Sequence, residues 1–199
     1  MVDQLAQDYA SKPVVFLEYD VDHPPDSRYD KFWAAFQGSA GLPLIIVDSG
    51  HQVLESVVDY GTFKARVDQE LSRAPQARIQ ATWKRTGNNV KFLVQVTNQS
   101  GVTLSYAQNK AKVFALVYED VKVGVTSRYF RAVIDQEIST GLTPGSSATF
   151  TLNTPDLAGV DWNKLHYVAL VDYRPGSSGA YDMLQAAVAL PAVSDNPAD

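Results

Sequence analysis

An acid, a nucleophile and a base lie side by side at Asp48-Ser49-Gly50-His51. These are the residue types of an acyl-transfer relay, which needs its three side chains to converge from separate elements. Neighbours in one tight turn cannot pass a proton in that way, and no Gly-x-Ser-x-Gly elbow accompanies them. A second cluster, Glu18, Asp20, Asp22, His23 and Asp26, follows an apolar run. Asp20 and Asp22 offer oxygen ligands to Ca²⁺ or Mg²⁺. The spacing lacks the glycine and closing glutamate of an EF-hand loop, and Pro24-Pro25 stiffens the segment. The expectation is a solvated acidic loop in which Asp26 or Ser27 caps the next helix. His23, His51 and His166 are far apart in the chain, and a metal site would need them to meet. The 199 residues include no cysteine, which excludes disulfides, thiolate metal sites and thiol catalysis by these residues. No glycine-rich phosphate loop is present. The expectation is therefore a chain with no enzymatic activity, no metal and no cofactor.

Charge narrows the partners. The chain carries 17 Lys and Arg against 22 Asp and Glu, and the balance is uneven. Residues 1–74 hold 6 basic and 12 acidic side chains, and residues 75–199 hold 11 and 10. An acidic first part argues against nucleic acid, whose affinity comes from clustered Lys and Arg. No apolar run approaches the ~18 residues of a membrane-spanning helix. No signal peptide is legible, because Met1 leads straight into an amphipathic segment, and a chain that starts inside an element reads as one with a trimmed start. Asn98-Gln99-Ser100 matches a glycosylation sequon and is expected to be a turn.

The elements that position these residues change period midway. Val2, Leu5, Ala6 and Tyr9 form a helical stripe, ended by Lys12-Pro13. Val14-Val15-Phe16-Leu17 is apolar throughout, as in a strand buried on both faces. A helix with Tyr29, Phe32, Trp33 and Phe36 on one face is expected next. Leu44–Val47 reads as a second buried strand, with a hairpin turn at 48–51 into Val53–Val58. Asp59 or Thr62 then caps a helix bearing Phe63, Val67 and Leu71. Arg73-Ala74-Pro75 reads as a linker. Beyond it the period is two: Ile79, Ala81 and Trp83, then Val90, Phe92, Val94 and Val96, face one way. Further strands are predicted at 111–119, 127–135, 147–153, 165–173 and 181–190, with separators rich in Gly, Pro and Ser. About seven strands in this arrangement predict an antiparallel β-sandwich. Tyr118, Tyr129, Phe130, Tyr167, Tyr173 and Tyr181 fall on or beside these strands, where core packing is their expected use.

Residues 1–74 resemble the thioredoxin superfamily in the passage Leu42-Pro43 into Leu44-Ile45-Ile46-Val47-Asp48-Ser49-Gly50, followed by a strand and a closing helix. The resemblance implies a cis Leu42-Pro43 bond and, beside it, a groove for an extended peptide. The family's first strand and its Cys-x-x-Cys loop have no counterpart here. Residues 75–199 resemble the C-terminal part of a bacterial outer-membrane lipoprotein family, in which a thioredoxin-like domain precedes a β-sandwich. The matching features are Arg131-Ala132-Val133, Trp162 before a strand, Val168-Ala169-Leu170-Val171 and Met183-Leu184-Gln185-Ala186. That resemblance implies an extracytoplasmic, surface-associated protein.

Together these readings predict an α/β thioredoxin-like domain over 1–74, incomplete at its start, followed by an all-β immunoglobulin-like sandwich over 75–199. The expected role is non-catalytic binding or structure, with a protein or peptide partner, a candidate groove at Leu42 and Pro43, and weak metal candidates at Asp20 and Asp22. The alternative is a fragment of a thiol–disulfide oxidoreductase whose Cys-x-x-Cys precedes Met1. A first domain short of a central strand is expected to lean on the sandwich or to form a homodimer through an open sheet edge.

Overall fold

A computed structural model of the chain describes residues 2–18, 28, 43–56, 59–124, 126–177 and 179–193. Its first elements are the helix α1 (Val2–Asp8), a hairpin of β1 (Leu44–Val47) and β2 (Gln52–Glu55), and the helix α2 (Tyr60–Leu71). Asp59 caps α2 by accepting from the Thr62 N–H at 2.7 Å, which satisfies one of the amides a helix start leaves open. Phe63 and Val67, one turn apart, turn inward from α2 to join Leu5, Tyr9 and Leu54 in a small cluster.

Eight strands follow in two sheets. One has the order β10-β3-β4-β7 and the other β6-β5-β8-β9. Their ranges are β3 (Ala77–Thr86), β4 (Asn89–Asn98), β5 (Lys112–Glu119), β6 (Tyr129–Glu137), β7 (Ser147–Asn153), β8 (Leu165–Tyr173), β9 (Asp182–Val188) and β10 (Leu190–Pro191). A short helix, α3 (Tyr106–Asn109), lies between β4 and β5. The chain crosses from one sheet to the other after β4, β6, β7 and β9, so each sheet mixes distant strands. Only β10 runs parallel to its neighbour, with Leu190 opposite Thr82. Alternate residues of β4 (Val90, Phe92, Val94 and Val96) are fully buried and meet Val113, Ala115 and Val117 of β5 and Tyr167, Ala169 and Val171 of β8 between the sheets. Trp83 stacks on Tyr167 across this core, with ring centres 4.1 Å apart.

The sheet β6-β5-β8-β9 is buried on its other face too. Phe114, Leu116, Phe130, Val168 and Leu170 point away from the sandwich core, and Val15 and Leu17 pack over them. Val14 and Phe16, of opposite parity, join the cluster of Leu5, Tyr9 and Phe63. The apolar run 14–17 is thus two-sided because it lies between two cores. It is extended backbone without a ladder among the described residues, followed by a parallel bridge from Glu18 to Tyr129.

That arrangement corrects the expected fold class. The chain is mostly β, with three sheets and few helices among the described residues, and is not an α/β thioredoxin fold. The run 14–17 joins no sheet, and β1 pairs among the described residues with β2 alone. An apolar run buried on both sides is the mark of a central strand, but it equally suits a strap between two apolar layers. The predicted helix around Tyr29–Phe36 lies outside the described residues. The antiparallel β-sandwich stands, with strand positions close to those read from the alternation.

Because the outer face of β5 and β8 relies on this strap, replacing Val15 and Leu17 together with Asp will lower stability by about 2–4 kcal/mol. The double variant will also bind a hydrophobic dye. Urea unfolding followed by Trp fluorescence checks this, and an unchanged midpoint would show that the strap does not cover the sheet.

Candidate functional site

The turn after β1 concentrates backbone strain and charge. Asp48 and Ser49 hold left-handed φ values of 47° and 60°, and Gly50 follows at 118°. Such conformations cost a non-glycine residue on the order of 1–3 kcal/mol and persist only where the surroundings fix them. Both side chains are fixed here. The Ser49 hydroxyl donates to Asp172 Oδ2 at 3.1 Å and accepts from Arg28 Nη2 at 3.2 Å. Arg28 Nη1 closes the triangle on Asp172 Oδ2 at 3.3 Å, and its guanidinium lies 5.2 Å from the centre of the Phe114 ring. Asp172 is fully buried at the end of β8, beside a register shift between Val171 and Asp172. A carboxylate there requires a cation.

Asp48 belongs to a second network, centred on Arg73. Arg73 Nη2 donates to both carboxylate oxygens of Asp182 on β9 at 2.8 and 2.9 Å. Its Nη1 donates to Glu70 Oε2 at 2.6 Å and reaches Asp48 Oδ2 at 3.4 Å. His51 Nδ1 lies 2.9 Å from Glu70 Oε1. One guanidinium and one imidazole thus face three carboxylates. Burial pushes the Asp48 carboxyl up to about 7, helped by a hydrogen bond to Glu70 and opposed by Arg73. Burial works the same way on Glu70, but Arg73, His51 and Asp48 together hold it below its usual range. The two networks bind the N-terminal elements to the β8–β9 edge of the sandwich.

This geometry accounts for the residues singled out by type. Ser49 bonds Asp172 and His51 bonds Glu70, so Asp48, Ser49 and His51 form no relay. His166 pairs with Asp120 at 2.7 Å and stacks on Tyr118. Glu18 receives Arg128 at 3.0 Å. Asp20, Asp22 and His23 lie outside the described residues, as does Leu42 with its bond to Pro43. Pro43 is exposed, and its carbonyl accepts from the Ser56 N–H at 3.0 Å to close the β1–β2 hairpin. The peptide groove expected beside it rests on the resemblance that the fold corrects. Among the described residues no group of three His, Asp or Glu side chains is placed to hold a metal. The sequon asparagine, Asn98, is wholly buried. Its amide donates to the Val102 and Leu142 carbonyls, both at 2.8 Å, and its oxygen accepts from Ser100. It ends β4, paired with Ala77, rather than sitting in the expected turn.

Arg73, Asp172 and Asp182 escaped the sequence reading, although a signal was present. Asp172 ends the apolar run Val168–Val171, and an acid inside a buried strand implies a cation elsewhere.

No family model matches the chain, and no curated protein matches it. Solved structures do. One is a protein from Agrobacterium tumefaciens, 16% identical over 100% of this chain and 90% of its own, with a TM-score of 0.56. Another is a domain of the outer membrane lipoprotein Omp28 from Porphyromonas gingivalis, 16% identical over 60% of this chain and 92% of its own, with a TM-score of 0.39. A beta-glucosidase from Bifidobacterium adolescentis matches at 20% identity over 62% of this chain and 19% of its own, with a TM-score of 0.30. Of these, the Agrobacterium likeness supports the overall fold, and at that identity it speaks to nothing else.

The charge network makes stability depend on pH in a set direction. Between the ordinary value of 3.8 and about 7, the folded state keeps a proton on Asp48 that the unfolded state has lost. Stability from this group therefore falls as pH rises through that window and returns on acidification. Glu70 acts oppositely, because its lowered value gives stability above 4.5 that is lost as pH falls below it. Maximum stability is expected on the acid side of neutrality. Asp48→Asn, whose side chain tolerates the left-handed backbone, will flatten the slope between about pH 4 and 7 and exceed the parent at the upper end. Urea midpoints across that range test it, and parallel curves for the two proteins would contradict it.

Proposed function

We propose that this chain is a non-catalytic binding or structural protein that works outside the cytoplasm. In this reading residues 1–74 form a supporting layer and residues 75–199 a binding domain. Its working surface is the outward face of β3, β4 and β7. One observation carries the reading. The hydroxyl, imidazole and carboxylate groups best suited to chemistry are held in structural pairs, whereas this sheet face is polar, continuous and uncovered by any described residue.

The contrast between the two sheets supports it. On β6-β5-β8-β9 the outward residues are mostly apolar and lie under the strap, and the charged ones, Lys112, Asp135 and Asp172, are paired within the chain. On β3, β4 and β7 they are Arg78, Gln80, Thr82 and Lys84, then Lys91, Leu93, Gln95 and Thr97, then Ser147, Thr149, Thr151 and Asn153. Gln80, Thr82, Leu93, Gln95 and Thr149 line a shallow depression of about 340 Å³. Its position on regular strands gives a rigid array of side chains. The extracytoplasmic placement draws on the lipoprotein resemblance of residues 75–199.

Replacing Leu93 with Asp and Gln95 with Glu on this face is expected to change stability by less than about 1 kcal/mol, since both positions are exposed. Retention of the labelled protein on a glycan array and a random peptide library will be lost in the same variant. Retention that survives the substitutions, or turnover of a bound compound, would refute the reading, and cell fractionation of the natural host tests the placement.

A further inference from the structure

We propose that the outward face of β3, β4 and β7 binds an acidic polysaccharide, an inference that rests on the reading of this face as the binding surface. The first support is charge. The chain carries 22 Asp and Glu, yet β3, β4 and β7 contain none. Their outward charges are Arg78, Lys84 and Lys91, so the face is cationic on a protein of net charge −5. The other sheet carries Glu119, Asp135, Glu137, Asp172 and Asp182 on its strands. Acids are thus segregated to the sheet that binds the N-terminal layer.

The second support is a local conflict. Lys84 and Lys91 are direct cross-strand partners, both exposed. Like charges opposed on one face of an antiparallel pair destabilise it. By contrast, Lys112 meets Asp135 at 2.8 Å and Arg131 meets Glu119 at 2.6 Å. An anionic group seated between Lys84 and Lys91 removes the repulsion, so the pair is a site for a carboxylate or sulfate of the ligand.

The third support is the chemistry between the charges. Gln80 stands opposite Gln95, which stands opposite Thr149, and Thr82 stands between Leu93 and Leu190. Amides and hydroxyls both donate and accept, as sugar hydroxyls do. A bare phosphate only accepts, and a lipid surface would ask for a broader apolar face. Leu93 and Leu190 are 48% and 63% exposed, which offers aliphatic contact to the C–H faces of a sugar ring. Arg78 lies six residues from Lys84, about 20 Å along an extended strand. That spacing spans several sugar units, and the planar guanidinium can donate two hydrogen bonds to a second carboxylate.

The test is affinity electrophoresis and calorimetry of the full chain with polygalacturonate, a neutral dextran, inorganic polyphosphate and single-stranded DNA. Polygalacturonate is expected to bind and dextran is not. Lys84→Gln with Lys91→Gln will weaken polygalacturonate binding about tenfold or more, and raising salt from about 50 to 200 mM will weaken it further. The same variant keeps or slightly raises the melting temperature, because it removes opposed charges, so a loss of binding cannot be a loss of fold. Gln80→Ala with Gln95→Ala will weaken polygalacturonate and leave any residual polyphosphate binding unchanged. Polyphosphate or DNA binding as tightly as polygalacturonate, or indifference to the lysine variant, overturns the proposal. Dextran bound at this face and released by the glutamine variant overturns the acidic ligand while preserving the binding face. No probe responding to any substitution here removes both.

Discussion

The sheet β6-β5-β8-β9 has no face toward water over much of its area, and the rest of the molecule follows from that. An antiparallel sandwich strand normally alternates, with one parity in the core and the other solvated. Here Phe114 and Leu116 on β5 and Val168 and Leu170 on β8 carry apolar side chains on the parity that a free sandwich would expose. Each such side chain is worth about 1.5–3 kcal/mol when buried and is a liability when not. The strap at 14–17 covers them with Val15 and Leu17 while handing Val14 and Phe16 to the second cluster. A four-residue extended segment thus joins two cores without any ladder of its own. The fold has three layers, and the middle one is a sheet.

Burying that face brings a charged problem with it, because Asp172 on β8 and Asp182 on β9 lie in the same sheet. Arg28 and Arg73 answer them, and both reach across from the N-terminal elements. Ion pairs of this kind are weak contributors to net stability because each charge loses its water, yet removing one partner is severe. They act as a selector of arrangement. Apolar packing alone would let the hairpin slide on the sheet. A guanidinium seated between Glu70 and Asp182, and a serine hydroxyl bonded to Asp172, fix one register. The left-handed backbone at Asp48 and Ser49 is the cost of delivering both side chains from one turn, and it is offset by the bonds those side chains make.

The sandwich was legible because period-two alternation is written directly into β3, β4 and β7, whose outward faces are wet. Val90, Phe92, Val94 and Val96 against Lys91, Leu93, Gln95 and Thr97 leave no other reading. The first 74 residues were misread for the complementary reason. A continuous apolar run such as Val14–Leu17 reports burial on two sides and says nothing of hydrogen-bond partners. The thioredoxin-like order of elements then supplied a sheet that is absent among the described residues, where β1 pairs with β2 alone. The turn at 48–51 was recognised as a turn. Its partners Arg28, Arg73 and Asp172 lie up to 123 residues away, and no local pattern encodes them. Asp172 at the end of a buried apolar run was the one available hint.

Charge is distributed by the same logic as burial. Acidic residues gather where the two parts of the chain meet, at Asp48, Glu70, Asp172 and Asp182, and these four find a basic partner or a shared proton. They are missing from β3, β4 and β7, where nothing within the described chain needs them. Neutral Gln, Thr and Ser take their place, bounded by Lys84 and Lys91 at one end and Arg78 at the other. A face meant only for solubility would mix charges of both signs, because opposed pairs across strands stabilise the sheet and like pairs weaken it. Lys84 opposite Lys91 does the reverse. Among the described residues the inner sheet satisfies most of its charges from within the chain, whereas Arg78, Lys84 and Lys91 on the outer sheet meet no acid, and the proposed acidic ligand would supply that complement.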